Sequence, residues 1–381
     1  MGNKMNITHV VSSPVNAAAG VKEMYMHLSG AQSESSFHSK VSVVALDHPD
    51  WNTERASWCG APVHLVKVFG PRVFGFAPTM VDTICDQNPD IVHLHGLWMH
   101  SGRSVLNWSK ISSRPYVVST HGMLSNKALS YSKLKKRFLL SWFQLEVLQR
   151  ASAIHVTSDS EEQCVRDFGL KNRIINVPNG VPPYDLPSKN EANFSKEILY
   201  LGRLHSIKGL DSLLVAWEKL QFDFPDWRLH LVGPAEYGEL YRLKNIVRSR
   251  KLDRVFFSGE VRGECKLSIM ANASIFVLPS LSENFGITVA ESLMLATPVI
   301  CSKGAPWSGI SDHDCGLWVE IGSVPLYNSL RSLMLLPPSI LRDMGARGRE
   351  WMLREFCWDI IAKKILREYQ IILDDYSPCR N

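Results

Sequence analysis

No stretch of the chain approaches the roughly 20 consecutive apolar residues that a membrane-crossing helix needs, so any contact with a bilayer is expected to be peripheral. Paired cysteines are missing as well. The eight cysteines (Cys59, Cys85, Cys164, Cys265, Cys301, Cys315, Cys357 and Cys379) stand singly, with no CxxC pair. That argues against a disulfide framework and a zinc finger, and it fits a reducing cytoplasm. The opening residues, MGNKMNITHVVSSP, run straight into a strand-like segment without an apolar core and small-residue cleavage site, so secretion is not expected. Excess charge is small: the net charge is +5, and Lys and Arg are scattered rather than massed. This leaves room for anionic substrates or a membrane surface and gives little basis for nucleic-acid binding. No low-complexity tract is found.

What is present is apolar alternation over a length that exceeds one core. A chain of 381 residues with 45% hydrophobic content is expected to form two domains. Short β-branched runs (NITHVV, KVSVVAL, DIVHLHG, PYVVSTHG, SAIHVTS, IINVPNG) alternate with helix-patterned stretches, which predicts a parallel sheet buried on both faces. Residues 178–195, PNGVPPYDLPSKNEANFS, break the pattern with four prolines and read as a linker. The alternation then restarts (EILYLGR, WRLHLVG, RVFFSG, ASIFVLPS, TPVICS, GLWVE). An α/β protein with two doubly wound, Rossmann-like domains follows, spanning residues 1–185 and 195–354. The spacing in Arg354–Leu373 predicts one long terminal helix. Ligands of open α/β sheets bind beyond the strands' carboxyl ends, so the site is expected in the cleft between the domains.

Two turns carry charge where a phosphate would sit. In YLGRLHSIKGL (Tyr200–Leu210) a strand ends at Gly202 and delivers Arg203, with Lys208 five positions on. Two cations beside a helix start suit a diphosphate, and a solvated turn with incidental charges is the plainer alternative. In LSENFGITVAESLMLATPVI (Leu281–Ile300) Glu283 falls in the loop after a buried strand and Gly286 where the next helix starts. Glu291 then lies inside that helix. A carboxylate so placed needs hydrogen-bond donors, and vicinal ribose hydroxyls are suitable. The alternative is an exposed salt bridge for Glu291 and an N-terminal cap for Glu283.

The E-x7-E arrangement of Glu283 and Glu291, with Arg203 and Lys208 upstream, VPNGV closing the first half, and HLHGLW, STHGML and MGARGREWMLREFCW in order, resembles the retaining glycosyltransferases of family 4. That resemblance implies the two-Rossmann GT-B fold, with the terminal helix (about 355–375) packing back on the first domain. It implies that Glu291 binds the ribose of a nucleotide-sugar and that Glu283 meets donor-sugar hydroxyls. Gly202, Arg203 and Lys208 would hold the diphosphate and stabilise it as it leaves, a role worth most in the transition state. The backbone of Asn284, Phe285 and Gly286 would touch sugar and phosphate, and Gly259 to Val261 would lie against the base. His121 would contact the donor sugar, with a packed strand-end histidine as the alternative.

His95 and Trp98, at the end of HLHGLW, are candidates for an acceptor wall, although a Trp after a buried strand is as often core. In the first loop, SSPVNAAAGVKEM, Ala19 and Gly20 stand where the family commonly has two glycines, leaving Gly20 to supply close backbone approach. Asp312-His313-Asp314 spells an acidic pair that other glycosyltransferases use for a divalent ion. It lies away from the diphosphate turns, and Arg203 and Lys208 already supply positive charge, so no metal and no cofactor beyond a UDP- or GDP-linked co-substrate is expected. In Tyr131–Arg150 one helical face carries Leu134, Phe138, Trp142 and Leu145 and another Lys133, Lys136 and Arg137. This is either a surface for an anionic bilayer or a core-packed helix with a solvated basic face. The expected function is cytoplasmic transfer of a sugar, with retention, to a saccharide or polyprenyl-diphosphate-linked acceptor in bacterial surface-polysaccharide assembly. A nucleotide-sugar epimerase of the same fold and a non-catalytic two-lobed sugar-binding protein are the alternatives.

Overall fold

The computed structural model describes residues 5–13, 15, 19–34, 39–186 and 195–376. Within them, strands β1 (Asn6–Val11), β2 (Lys40–Leu46), β3 (Val63–Val66), β4 (Ile91–His95), β5 (Tyr116–Ser119), β6 (Ala153–Val156) and β7 (Arg173–Asn176) form one sheet. A second sheet holds β8 (Glu197–Leu201), β9 (Arg228–Val232), β10 (Val255–Ser258), β11 (Ile275–Leu278), β12 (Val299–Ser302) and β13 (Gly316–Val319). The strand orders are β3-β2-β1-β4-β5-β6-β7 and β10-β9-β8-β11-β12-β13, with all pairs parallel. Both are doubly wound: the chain starts mid-sheet, works to one edge, then crosses back and works to the other.

The central strands are apolar because helices cover both of their faces. Every residue of β8, β11 and β12 is buried, and each fully buried Leu, Ile or Val contributes roughly 1.5–3 kcal/mol. The chain divides into two compact units, one built on β1–β7 with the helix Trp358–Tyr376, the other running from Val181 to Cys357. The Trp358–Tyr376 helix packs along the Ala19–Glu34 helix and buries Ile361, Ile365, Leu366, Tyr369 and Ile372.

Three local expectations need correction. Strand β3 has no counterpart in the sequence reading, because an edge strand of four residues, three of them partly exposed, leaves only a weak apolar signal. The expected single helix from Arg354 is two: one spans Pro338–Glu355 and the next begins at Trp358. The break falls where Cys357 forms a parallel bridge with Val181. The amphipathic helix expected over Tyr131–Arg150 is interrupted by a π-turn at Leu140–Gln144, between helices Lys133–Leu139 and Leu145–Gln149. The π-turn shifts the phase, so that Leu139, Phe143, Val147 and Leu148 enter the core. Leu134, Phe138 and Trp142 are left 85%, 61% and 58% exposed, and the core-packed alternative for that stripe does not hold.

Candidate active site

In the second unit the charged groups gather at the carboxyl ends of β8 and β11. The turn after β8 is shaped by the Tyr200 hydroxyl, which donates to the Arg203 carbonyl at 2.9 Å. Gly209 must be glycine here. Its φ is +67°, and a Cβ would meet the Pro279 carbonyl oxygen at 2.1 Å, so the turn after β8 and the loop after β11 touch backbone to backbone. Leu281 N–H donates to the Ile207 carbonyl at 2.8 Å across the same junction. Lys208 is thereby carried onto Glu283, whose Oε1 accepts from Lys208 Nζ and from the Ser280 hydroxyl at 2.7 Å. Glu283 is not the helix cap: Gly286, at φ +80°, occupies that position.

Glu291 is buried in the Ile287–Met294 helix, and its Oε1 accepts from Lys266 Nζ at 2.6 Å. The pair is therefore buried, not the exposed salt bridge of the alternative reading. The hydrogen-bond donor that a carboxylate so placed needs is thus supplied within the protein, by Lys266. Lys266 sits on the Gly263–Asn272 helix, directly after Gly259 to Val261. Gly259 is exposed, with open space where a Cβ would stand, and Val261 packs partly on the core. Arg203 extends to Glu236, Nη1 to Oε1 at 2.8 Å, and His205 reaches the same carboxylate at 3.3 Å. Gly202 continues the β8 pairing through its N–H to Val232 at 3.0 Å. Phe285 is buried against Trp307 and Phe356, and its carbonyl accepts from the Trp307 indole N–H at 2.5 Å, so that carbonyl is already engaged; Asn284 is half-buried beside it.

The first unit places histidine where the second has apolar strand residues. Register sets His9 beside His93, His95 beside Ser119, and Ser119 beside His155. His121 follows β5 in a left-handed conformation (φ +48°) and Gly122 continues it (φ +73°). This kink is held by Glu161 of the Asp159–Asp167 helix, buried beneath it. Glu161 Oε1 accepts from the Thr120 hydroxyl (2.6 Å) and Gly122 N–H (2.5 Å), and Oε2 from Thr157 N–H and hydroxyl (both 2.9 Å). Burial alone would raise its pKa. The four donors outweigh that cost and hold the carboxyl below its usual range, with His121 adding to the effect. Burial pushes His121 itself down to about 4, against the pull of Glu161.

His95 needs correction as an acceptor contact. It is 3% exposed, and its ring nitrogens are engaged by His9 at 2.8 Å and His121 at 3.4 Å. Trp98 is half-buried against the first unit's core, with its backbone N–H donating to Gln144 Oε1 (2.7 Å) and Lys136 Nζ 5.6 Å from the ring centroid. Gly20 lies exposed in the first turn of the Ala19–Glu34 helix, whereas Pro14 and residues 16–18 of that loop fall outside the described residues. Asp312 ends a short helix, the His313 ring stacks on Trp351 at 4.4 Å, and the Asp314 carbonyl accepts from Arg347. Ring nitrogens of His9, His93 and His95 come within 4.8 Å of one another, a grouping the sequence reading did not single out.

Sequence reasoning missed Lys266, Glu236 and Glu161. The first two lie 25 and 33 residues from their partners, beyond any local pattern. Glu161 had a signal in Ser158-x-x-Glu161, a capping box, and Ser158 does accept from Glu161 N–H. Here the carboxylate serves the neighbouring strand end as well.

Comparison with known proteins bears on what these groups do. The model of the glycosyl transferase 4-like domain matches residues 20–180, and that of the group 1 glycosyl transferases matches residues 185–351. The chain belongs to glycosyltransferase family 4. This family 4 glycosyltransferase is 24% identical to the GDP-mannose:cellobiosyl-diphosphopolyprenol alpha-mannosyltransferase of Xanthomonas campestris, over 97% of both chains. It is also 24% identical to the phosphatidyl-myo-inositol mannosyltransferase of Mycobacterium leprae, over 76% of its own length and 75% of that protein's. Among solved structures, sucrose-phosphate synthase from Thermosynechococcus elongatus superposes with a TM-score of 0.75 at 20% identity, covering 98% of this chain and 100% of that one. Anabaena HepE in complex with UDP and glucose gives 0.74 at 18% identity, with 96% and 99% covered. The fold of this glycosyltransferase is GT-B.

Proposed function

We propose that the protein transfers a sugar, with retention, from a nucleotide-sugar to a saccharide on polyprenyl diphosphate during bacterial surface-polysaccharide assembly. The observation that carries this reading is the placement of Lys208 and Glu283 in contact at the ends of β8 and β11, with Arg203 nearby in sequence and Glu291 in the following helix. In this reading Lys208 and Arg203 exchange their carboxylate partners for the donor diphosphate and stabilise it as the anomeric C–O bond breaks. Glu283 then orients hydroxyls of the donor sugar, Glu291 holds the ribose, and the positive charge of the two side chains serves in place of a divalent ion. His121 contacts the donor sugar, and Trp98 offers its ring face to the acceptor. The lipid-linked acceptor is supported by the two relatives above, a cellobiosyl-diphosphopolyprenol mannosyltransferase and a phosphatidyl-myo-inositol mannosyltransferase.

The exposed stripe of Leu134, Phe138 and Trp142 supports a bilayer contact. No acidic residue occurs between His121 and Leu145, while Lys127, Lys133, Lys135, Lys136 and Arg137 do, a combination that suits anionic lipid. No helix among the described residues is long and apolar enough to cross a membrane. Two experiments test the proposal. A thermal-shift panel of UDP-, GDP- and ADP-sugars finds the donor, after which nucleoside diphosphate release is followed with polyprenyl-diphosphate saccharides, with and without EDTA. Binding without release to any lipid-linked or soluble acceptor sinks the transferase reading. For the membrane face, Phe138→Glu with Trp142→Glu is expected to abolish flotation with anionic vesicles, and unchanged flotation rejects that contact.

A further inference from the structure

The histidines of the first sheet form two hydrogen-bonded runs in which, with neutral rings, every donor can be assigned from the ends. The Val177 carbonyl can only accept, so His155 donates to it through Nε2–H at 2.9 Å. A neutral His155 then offers a lone pair at Nδ1, and the Ser119 hydroxyl donates there at 2.7 Å. Ser119 Oγ in turn accepts from His93 Nε2–H at 2.7 Å, leaving His93 Nδ1 to accept from the Tyr369 hydroxyl at 2.5 Å. A second branch ends at Gln32, whose carbonyl oxygen can only accept. His9 Nε2–H donates to it at 2.7 Å, so His9 Nδ1 accepts from His95 Nε2–H at 2.8 Å. His95 Nδ1 is then the acceptor for His121 Nε2–H at 3.4 Å. The two branches thus end separately, one at the Tyr369 phenol and one at the Gln32 carbonyl oxygen.

The rings are neutral because they are buried: burial takes His9 down to about 4 and lowers His93, His95 and His155 as well. A proton added at His9 would set its Nδ1–H against His95 Nε2–H unless His95 and His121 both switched tautomer, so the direction of the His9–His95–His121 links goes with neutral rings.

We infer that the branch ending at Gln32 sets the tautomer of His121, which keeps its proton on Nε2 and presents Nδ1 as a hydrogen-bond acceptor, and that His95 and His9 are its positioning residues. A ligand at His121 must therefore supply a donor there, as a sugar hydroxyl does; a carboxylate or carbonyl oxygen in that place would meet a lone pair. The choice of ligand rests on the proposed placing of His121 at the donor sugar, whereas the tautomer does not. The terminal helix enters at the other branch, where its Tyr369 supplies the hydroxyl that orients His93.

The test is two-bond 15N–1H correlation NMR on the full chain labelled with 15N-histidine, at neutral pH, with His121 assigned by the signal lost in His121→Gln. The expected pattern is an unprotonated Nδ1 and a protonated Nε2 for His121, with the same pattern for His9, His93, His95 and His155. A protonated Nδ1 at His121, or an imidazolium, overturns the inference. So does stoichiometric binding of added Zn2+ that shifts His9, His93 and His95 together, since those rings would then be ligands rather than links. In His95→Leu, or His9→Leu should the first not fold, the His121 pattern is expected to become a mixture of tautomers; an unchanged single tautomer also overturns it. None of these readouts needs turnover. Retained activity in His121→Gln alongside the expected wild-type tautomer would remove His121 from the reaction and leave the branch intact.

Discussion

At the ends of its first sheet the protein buries neutral histidines, serines and one carboxylate fed by four donors, with no Lys or Arg paired to it among the described residues. At the ends of its second sheet it sets carboxylates against lysines and an arginine. The two sheets share one winding order, so the difference lies in what the same scaffold is made to hold. A chain of neutral donors and acceptors has a direction, and each member depends on the next. An ion pair such as Lys208 and Glu283 has no direction, and either partner can be exchanged for a charged ligand. The first arrangement suits a fixed hydrogen-bonding surface, the second a surface whose ion pairs can open to a charged ligand.

Acid should break this comparison most sharply. A histidine whose pKa is about 4 when folded and 6.5 when unfolded holds fewer protons in the folded state between those values. Stability therefore rises with pH there, and it is lost as pH falls from about 6.5 toward 4. His9 alone accounts for roughly 3 kcal/mol of that loss, and His93, His95, His121 and His155 act in the same direction. Hydrogen exchange followed peptide by peptide should show β1, β4, β5 and β6 opening well before β8, β11 and β12 as pH is lowered. Simultaneous opening would mean that the two units are not differently protected.

Next in size is Glu291→Ala. It strands the Lys266 ammonium in a mostly buried place, and the expected loss of unfolding free energy is about 3 kcal/mol by denaturant titration, partly restored by Lys266→Met. The same variant should abolish the nucleotide-dependent thermal shift or weaken binding at least about tenfold; an unchanged shift rejects the ribose role. Glu161→Gln is expected to cost somewhat less, about 1–3 kcal/mol, because the amide can satisfy only some of the four donors. It should also perturb His121, which a circular-dichroism melt and the histidine NMR signals would both register. Smallest in stability is Arg203→Ala: its pair with Glu236 is solvent-exposed, so stability should move by no more than about 0.5 kcal/mol. Transfer is nonetheless expected to fall by about tenfold or more if Arg203 meets the departing diphosphate, and full transfer activity would exclude it from that role.

Much of the architecture was legible because parallel strands covered on both faces must be apolar throughout, and runs such as EILYL and IFVL say so within five residues. Edge strand β3 was not, since its half-exposed residues carry no such demand. Among the candidate residues, Arg203, Lys208 and Glu283 could be picked out from their places after strands, and Glu291 as a carboxylate inside an apolar helix. Their partners could not, because Lys266 and Glu236 are brought to them only by the packing of separate βα units. The stripe on residues 134–142 stayed undecided between surface and core for a related reason: periodicity reports that an apolar face exists, and only the π-turn at 140–144 decides which face turns inward.

The sequence by itself therefore determined the two parallel sheets, the family, and which residues could carry charge to a ligand. Those follow from side-chain period and from motif order, which are local along the chain. Only the tertiary structure decided that His155, Ser119 and His93 form one hydrogen-bonded series ending at Tyr369, and that His121, His95 and His9 form another ending at Gln32. Those series depend on parallel register between four strands and on a helix nearly three hundred residues downstream of His93. No periodicity encodes a contact at that range.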